Sequence, residues 1–268
     1  MKKIIILFLF SPLLVFTQEL KDFSKDTLED LHWGYEYFMP TSSCGEIIDY
    51  NNFSVSFCEE YRLSEWAIYY MTANDIIGPG FSIRGFNFKR DPKLNGRDAE
   101  NGAFYKNIYD KGHLVPYADM NSSLLKLSET YFFTNVTPQH ADLNRGGWRE
   151  LEKLVRDWTI KFDKVAIISG WVVGDIKCYL SVDGRVVFFD NNPGHPYIPV
   201  PNNYYKVFID IQSKRSIAFI FPNKKITKPI MEYVVSIDYL ESVTGLDFFY
   251  KLSDEDELSF EIDTGNKK

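Results

Sequence analysis

The stretch Tyr109-Asp110-Lys111-Gly112-His113-Leu114, followed later by Asp142-Leu143-Asn144-Arg145-Gly146-Gly147-Trp148 and then Glu152, decides how this chain of 268 residues is read. One histidine, one asparagine and one glutamate stand there among basic residues. An imidazole accepts a proton near neutral pH, its ordinary pKa lying close to 6.5. An asparagine carbonyl is a hard, neutral oxygen donor that suits Mg²⁺ and leaves the ion most of its waters. The clearest helix starts near Asn144: Trp148, Leu151, Val155 and Trp158 repeat as one apolar stripe, while Arg149, Glu152 and Arg156 occupy a different face. Glu152 follows Asn144 by a little over two turns, which places both on roughly the same side. Gly146 and Gly147 each disfavour a helix by about 1 kcal/mol. Their use predicts a close approach by a neighbouring strand or by a substrate.

Outward from this region the chain reads as strands and turns. Phe53 to Phe57 alternates at the period of a half-buried strand, and Trp66 to Met71 is a second β-rich run. Phe81 to Ala103 turns polar and Gly/Asn-rich, as a long surface loop feeding the site does. Val165 to Ser169 suits a buried strand. Cys178–Val182 and Arg185–Phe189 flank Asp183-Gly184, a hairpin turn signal. Tyr204–Ile211 and Ser216–Phe221 form another strand pair, and Ser236 caps a helix from Ile237 that Gly245 closes. The residues from Ser253 on are acidic and polar and are expected to fray. Strands that feed a loop and then a helix give an α+β architecture. No repeat or linker divides the chain, so it reads as one domain.

Composition sets the surroundings. Lys2 and Lys3 precede an apolar run from Ile4 to Phe16, which is shorter than the roughly 20 residues a spanning helix needs. This predicts a secretory signal peptide over 1–17, cleaved before Gln18, with an uncleaved membrane anchor as the alternative. The mature domain is then 18–268, placed outside the cell or in the periplasm. The net charge is −7, and loss of Lys2 and Lys3 makes it more negative still. That sign excludes tight holding of nucleic acid by bulk charge, but not an enzyme with a local basic cleft and a metal ion. Cys44, Cys58 and Cys178 are too few and too scattered for zinc, and His32, His113, His140 and His195 form no metal-binding spacing. In an oxidising compartment Cys44 and Cys58 could pair and leave Cys178 free, but sequence does not fix the connectivity. The aromatic content of 16% reads as core packing rather than base-stacking platforms, since most of these residues lie in β-type apolar runs. Tyr131, Phe132 and Phe133 are among them, in a packed segment between the two halves of the motif.

The quoted stretches, together with Ala118-Asp119-Met120, Thr134-Asn135-Val136-Thr137-Pro138-Gln139 and Leu151-Glu152, resemble the DNA/RNA non-specific endonuclease family. Further pieces agree in order: Trp66, Arg84-x-x-x-Phe88-x-x-Asp91, Ser169-Gly170, Ile198-Pro199-Val200-Pro201 and Thr244-Gly245-Leu246-x-Phe248-Phe249. The resemblance spans nearly all of the chain after the leader. It implies a ββα-metal fold, in which two strands and a helix pinch one Mg²⁺ or Mn²⁺ ion beside a central mixed or antiparallel sheet flanked by helices. It also implies cleavage of DNA and RNA with little sequence preference, leaving 5′-phosphate ends. His113 then matches the general base, Asn144 the direct metal ligand and Glu152 the carboxylate that holds metal-bound water. Arg84 and Arg156 match positions facing the scissile phosphate, and Asn135 supports the site geometry. Lys111 departs from the family's usual arginine. It keeps the charge but loses the planar fork that grips phosphate, which predicts a weaker or differently tuned enzyme.

Taken singly, each residue has a plainer reading. His113 can be a loop-bonding histidine, Asn144 a helix cap, and Glu152 a surface partner of Arg156. A binding protein that kept the fold and lost the chemistry is one alternative, and a phosphodiesterase acting on a different ester is another. Homodimers occur in the family, but no interface is identifiable here.

Overall fold

The computed structural model describes residues 34–99, 108–172, 178–188 and 197–261. The leader, its cleavage point, His32, His195, Phe189 and the end of the Phe81–Ala103 loop lie outside these residues. Seven strands form the main sheet: β1 (Glu46–Asp49), β2 (Phe53–Cys58), β3 (Leu63–Met71), β6 (Val165–Val172), β10 (Asn203–Asp210), β11 (Arg215–Pro222) and β12 (Val234–Val235), in that spatial order. Every neighbouring pair is antiparallel. Two smaller units lie beside it: the hairpin β4 (Tyr109–His113) with β5 (Val136–His140), and a three-stranded piece of β7 (Tyr179–Leu180), β8 (Val186–Val187) and β9 (Ile198–Pro199). The helices are α1 (Ala73–Ile77), α2 (Leu124–Glu129), α3 (Arg149–Phe162), α4 (Ile237–Thr244) and α5 (Asp254–Glu261). None among the described residues is long and apolar enough to cross a membrane.

The sheet is covered on both faces, so the chain is α+β with an antiparallel sheet at its centre. Tyr69, Ile167, Tyr204, Phe208 and Phe219 pack on the face that meets Trp148, Leu151 and Val155 of the site helix region. Trp66, Ile68, Ile168, Val207 and Ala218 pack on the other face against Ile237, Leu240 and Phe260. The predicted apolar stripe of α3 is the stripe that docks. Trp158 meets the Phe208 ring edge-on at 5.2 Å, and Trp148 meets Tyr204 at 5.7 Å. Ser236 caps α4 by accepting from the Tyr239 N–H at 3.1 Å, and Gly245 ends it at φ +71°.

Three expectations change. The strand over Phe53–Cys58 is not half-buried but enclosed on both faces. Ser54 bonds Tyr35 and Asp49, while Ser56 bonds Ser42 and Glu65, so the polar face is roofed by the segment preceding β1 and by Glu65. The acidic segment after Ser253 is ordered as α5 through Glu261, because Phe260 packs against the rings of both Phe38 and Phe249 and its carbonyl accepts from Ser216. The run from Asn144 begins as a wide π-type turn over Leu143–Trp148, with Gly146 outside helical dihedrals, and becomes regular only at Arg149. A disulfide joins Cys44 to Cys58, and Cys178 is free.

Candidate active site

The hairpin β4–β5 sets the first half of the site. Asp110 pairs with Gln139, and His113 with Val136. Gly112 has no room for a side chain, since a Cβ there would meet Gln139 Cβ at 2.5 Å. Immediately after β4 the chain is clipped by Asn135. Its Oδ1 accepts from Val115 N–H at 2.8 Å, and its Nδ2 donates to the carbonyls of Val115 and Thr130. All polar atoms of this buried amide are therefore committed to backbone. Asn135 positions the strand that carries His113 and does not reach a substrate.

His113 stands among three rings, with centroids 5.1 Å from Phe88, 5.5 Å from Tyr131 and 5.9 Å from Tyr117. Its Nε2 is shut in by them without a hydrogen-bond partner. Desolvation lowers its pKa to about 4, so the imidazole is neutral at physiological pH. Lys111 is half-buried on the same strand, with its Nζ 4.9 Å from the centroid of Phe88. Burial holds this ammonium below its ordinary pKa.

The second half is the turn that opens α3. Asn144 Nδ2 donates to Asp110 Oδ2 at 2.9 Å, so Oδ1 is directed away from that carboxylate. Arg145 grips the same carboxylate with two donors, at 2.8 and 2.6 Å. Burial works against ionised Asp110, but these bonds outweigh it and hold its pKa below the usual range. Gly147 is required by packing, since a Cβ would lie 2.3 Å from Ile226 Cδ1. The close approach that its presence foretold is thus made by a side chain, and Gly146 has open space around it.

Farther along α3, Glu152 and Arg156 are half-buried. Arg156 does not pair with Glu152 but donates to Oδ1 of Asp119 at 2.8 Å, while Tyr69 donates to Oδ2 at 2.9 Å. Burial raises the pKa of Asp119, with Arg156 the main opposing charge. Glu152 is also raised, first by burial; Lys206 opposes this most strongly, Asp119 adds to it and Arg156 opposes it. The buried Trp148 Nε1 forms no geometrically complete hydrogen bond, yet it lies close enough to favour the charged form of Glu152.

Of the sequence-derived residues, the fold brings His113 and Lys111 together on β4, and ties Asn144 to that strand through Asp110. Glu152 and Arg156 follow on the same helix. Arg84 sits exposed on the loop leading to Phe88, its backbone N–H bonded to Ser82 Oγ. Of the other basic residues at the opening of α3, Arg145 is committed to Asp110 and Arg149 is exposed. Sequence reasoning gave no role to the Asp110 clamp, to Tyr69 or to Lys206. The only signal for Lys206 was a lysine inside the apolar run Tyr204–Ile211.

A hairpin and a helix that gather histidine, asparagine and glutamate beside an antiparallel sheet are the ββα-metal arrangement, and that is the fold class of this protein. Comparison with known sequences carries this to a family. The chain belongs to the DNA/RNA non-specific endonuclease family, whose profile matches residues 34–255. It is similar to mouse mitochondrial nuclease EXOG, 29% identical over 212 residues, covering 76% of this chain and 56% of that protein. Human mitochondrial endonuclease G is 25% identical over 189 residues, covering 68% and 62%. The chain spans less than two thirds of the length of these curated relatives. In a solved EndoG/EndoGI inhibition complex, one chain superposes with a TM-score of 0.70 at 22% identity, over 83% of this chain and 92% of that one, which speaks for the fold.

Proposed function

We propose that this protein is a metal-dependent endonuclease that hydrolyses phosphodiester bonds of DNA and RNA with little sequence preference, leaving 5′-phosphate ends. The observation that carries the reading is the Asn144 amide, oriented by Asp110 of the strand that also bears a neutral, aromatic-walled His113. The donor set fits a hard divalent cation. Asn144 Oδ1 is a neutral oxygen turned away from its carboxylate partner, and Glu152 is a half-buried carboxylate on the same helix, beside Trp148 Nε1. One amide oxygen with waters favours Mg²⁺ or Mn²⁺ and does not distinguish them. Bound there, the ion supplies Lewis-acid stabilisation of charge on the phosphate and the leaving 3′ oxygen.

The side chains divide the remaining work. Nε2 of His113 faces aromatic rings, where an N–H is better accommodated than a lone pair. We therefore assign the proton to Nε2, so that the accessible Nδ1 accepts the proton of the attacking water. Glu152 orients metal-bound water. Arg156, anchored at one edge by Asp119, has donors left for a phosphate oxygen. Lys111 adds positive charge beside His113, and Arg84 adds it from the loop. Secretion is part of the same proposal: the basic and apolar leader supports it, and so does a disulfide, which persists in oxidising compartments.

The test is digestion of supercoiled plasmid and of RNA by wild type and His113→Ala, in Mg²⁺, in Mn²⁺ and in EDTA. Degradation of both polymers that requires metal and disappears in the variant is expected. Intact polymers with folded wild type in both metals would overturn the reading, and saturable DNA affinity alone would leave a binding protein.

A further inference from the structure

The loop that leaves β11 carries positive charge against the sign of the whole chain. The net charge is −7, yet Lys224-Lys225-Ile226-Thr227-Lys228 holds three lysines and no acid. All three are exposed. Lys228 meets Glu232 at 3.7 Å, an exposed pair that contributes little. Lys224 and Lys225 form no ion pair among the described residues. Several basic groups elsewhere are committed to the fold: Arg90 and Lys93 bond the carbonyls of Gly96 and Asp49, and Arg97 bridges Glu46 and Glu59.

A run of surface lysines is ordinarily just solvated, but this loop is fastened to the turn that bears Asn144. Asn223 ties its start to the end of β5. Its Oδ1 accepts from His140 N–H at 2.7 Å, and its Nδ2 donates to the carbonyls of Pro138 and Pro201 at 3.1 and 2.9 Å. From β5 the chain runs within a few residues into the π-type turn Leu143–Trp148. On the other side of the two lysines, half-buried Ile226 occupies the space left by Gly147, three residues after Asn144. A Cβ on that glycine would lie 2.3 Å from Ile226 Cδ1. Lys224 and Lys225 therefore stand on a backbone anchored just before and just after them, beside the candidate metal-ligand turn. Charge fixed in place loses less freedom on binding than charge on a free loop. Screening limits its reach to about 8 Å at physiological salt, so a local cluster attracts a polyanion even on a negative protein.

We propose that Lys224 and Lys225 form a docking rail for the sugar–phosphate backbone of a polynucleotide, taking phosphates next to the one being cut. This deepens the nuclease reading above and rests on it. The rail reads no sequence, since phosphate contacts position a polymer without specifying its bases. It takes no part in the hydrolysis itself.

The test measures binding of labelled DNA of about 20 nucleotides, single-stranded and duplex, by fluorescence anisotropy in EDTA, where the rail needs no metal. Wild type is compared with Lys224→Gln/Lys225→Gln and with Lys214→Gln/Lys251→Gln, which removes the same charge from residues that bond Asp256 of α5 and the Glu36 carbonyl. At about 0.9 per phosphate contact for duplex and about 0.7 for single strand, loss of two contacts should flatten log K against log salt by about 1.8 and about 1.4. The gap from wild type on duplex should then widen about 12-fold as salt falls from about 200 to about 50 mM. The control pair should keep the wild-type slope, and Lys224→Arg/Lys225→Arg should keep it too. Both rail lysines are exposed, so their variants should unfold at the wild-type urea midpoint. In Mg²⁺, the glutamine pair should raise KM for plasmid with kcat within about twofold. Hydrolysis of bis(p-nitrophenyl) phosphate, too small to reach the rail, should stay at the wild-type rate. An unchanged slope, an equal change in the control pair, or an equal loss on the small ester would overturn the proposal. So would wild type that fails to bind DNA at about 50 mM salt. If the slope falls as expected but wild type cuts no polymer in Mg²⁺ or Mn²⁺, the rail stands and the nuclease reading fails.

Discussion

Lowering the pH should destabilise this protein through His113 by an amount the structure sets. Desolvation lowers its pKa to about 4 in the fold, against 6.5 in the unfolded chain. As pH falls, the unfolded chain therefore takes up the proton first. The stabilisation is complete above pH 6.5 and is lost as pH descends from there to about 4. At 1.36 kcal/mol per pKa unit the loss is about 2 kcal/mol by pH 5 and about 3 kcal/mol by pH 4. Other groups titrate in the same range, and raised acids such as Glu261, whose carboxyl is pushed up to about 7 mainly by burial, act with the opposite sign. The measurement must therefore be a difference. His113→Phe keeps an aromatic ring among Phe88, Tyr117 and Tyr131 and has nothing to titrate. Urea unfolding of both proteins in EDTA, from pH 7.5 to pH 4, should show wild type losing about 3 kcal/mol relative to the variant toward acid. Parallel curves would refute the argument that His113 is held neutral by its aromatic wall, and with it the account of why it is a competent base at neutral pH.

Two further outcomes follow from the site. Asp110→Ala frees the Asn144 amide to rotate, so the Mn²⁺ concentration needed for half-maximal cleavage should rise by about 10- to 100-fold. Arg145→Ala should move it far less, and equal effects would show that the ion pair, not the amide clamp, matters. Gly147→Ala should reduce stability by about 1–3 kcal/mol through overpacking against Ile226. Adding Ile226→Ala should recover part of that in denaturant titrations, and no recovery would place the strain elsewhere.

Much of the fold was legible because local chemistry and global packing agree there. The strand pair Tyr204–Ile211 with Ser216–Phe221, the Asp183-Gly184 turn and the Ser236 to Gly245 helix were each signalled by short-range rules and formed within a residue or two of the expected bounds. The buried serines of β2 misled, because alternation reports polarity and cannot reveal what roofs the polar face. The tail misled for the converse reason, since one aromatic, Phe260, is enough to dock an acidic helix. At the site, His113, Asn144 and Glu152 were singled out through the ordered motifs. Periodicity alone marks only the face on which Glu152 lies. Asp110 and Lys206 were passed over, since their partners are distant in sequence, Asn144 for the one and Ser169 with the Trp148 ring for the other. Asn135 was singled out in the same way, and its amide bonds only backbone groups.

The central seam of the sheet joins Met71 to Val165, and everything that makes the site, from β4 through α3, is strung between these two neighbours. In folding terms this is a long loop closed late. Hairpins such as β10–β11 form from nearby residues, but the β3–β6 seam must first overcome the entropy of a large closure, which slows assembly. During synthesis the hairpin and helix emerge after β3 but before β6, β10 and β11, which complete the floor beneath α3. A chain interrupted before β10 would bear every site motif and still lack Tyr204, Phe208 and Phe219, on which Trp148 and Trp158 are docked, so the residues of the site are all made before the surface that seats them is complete.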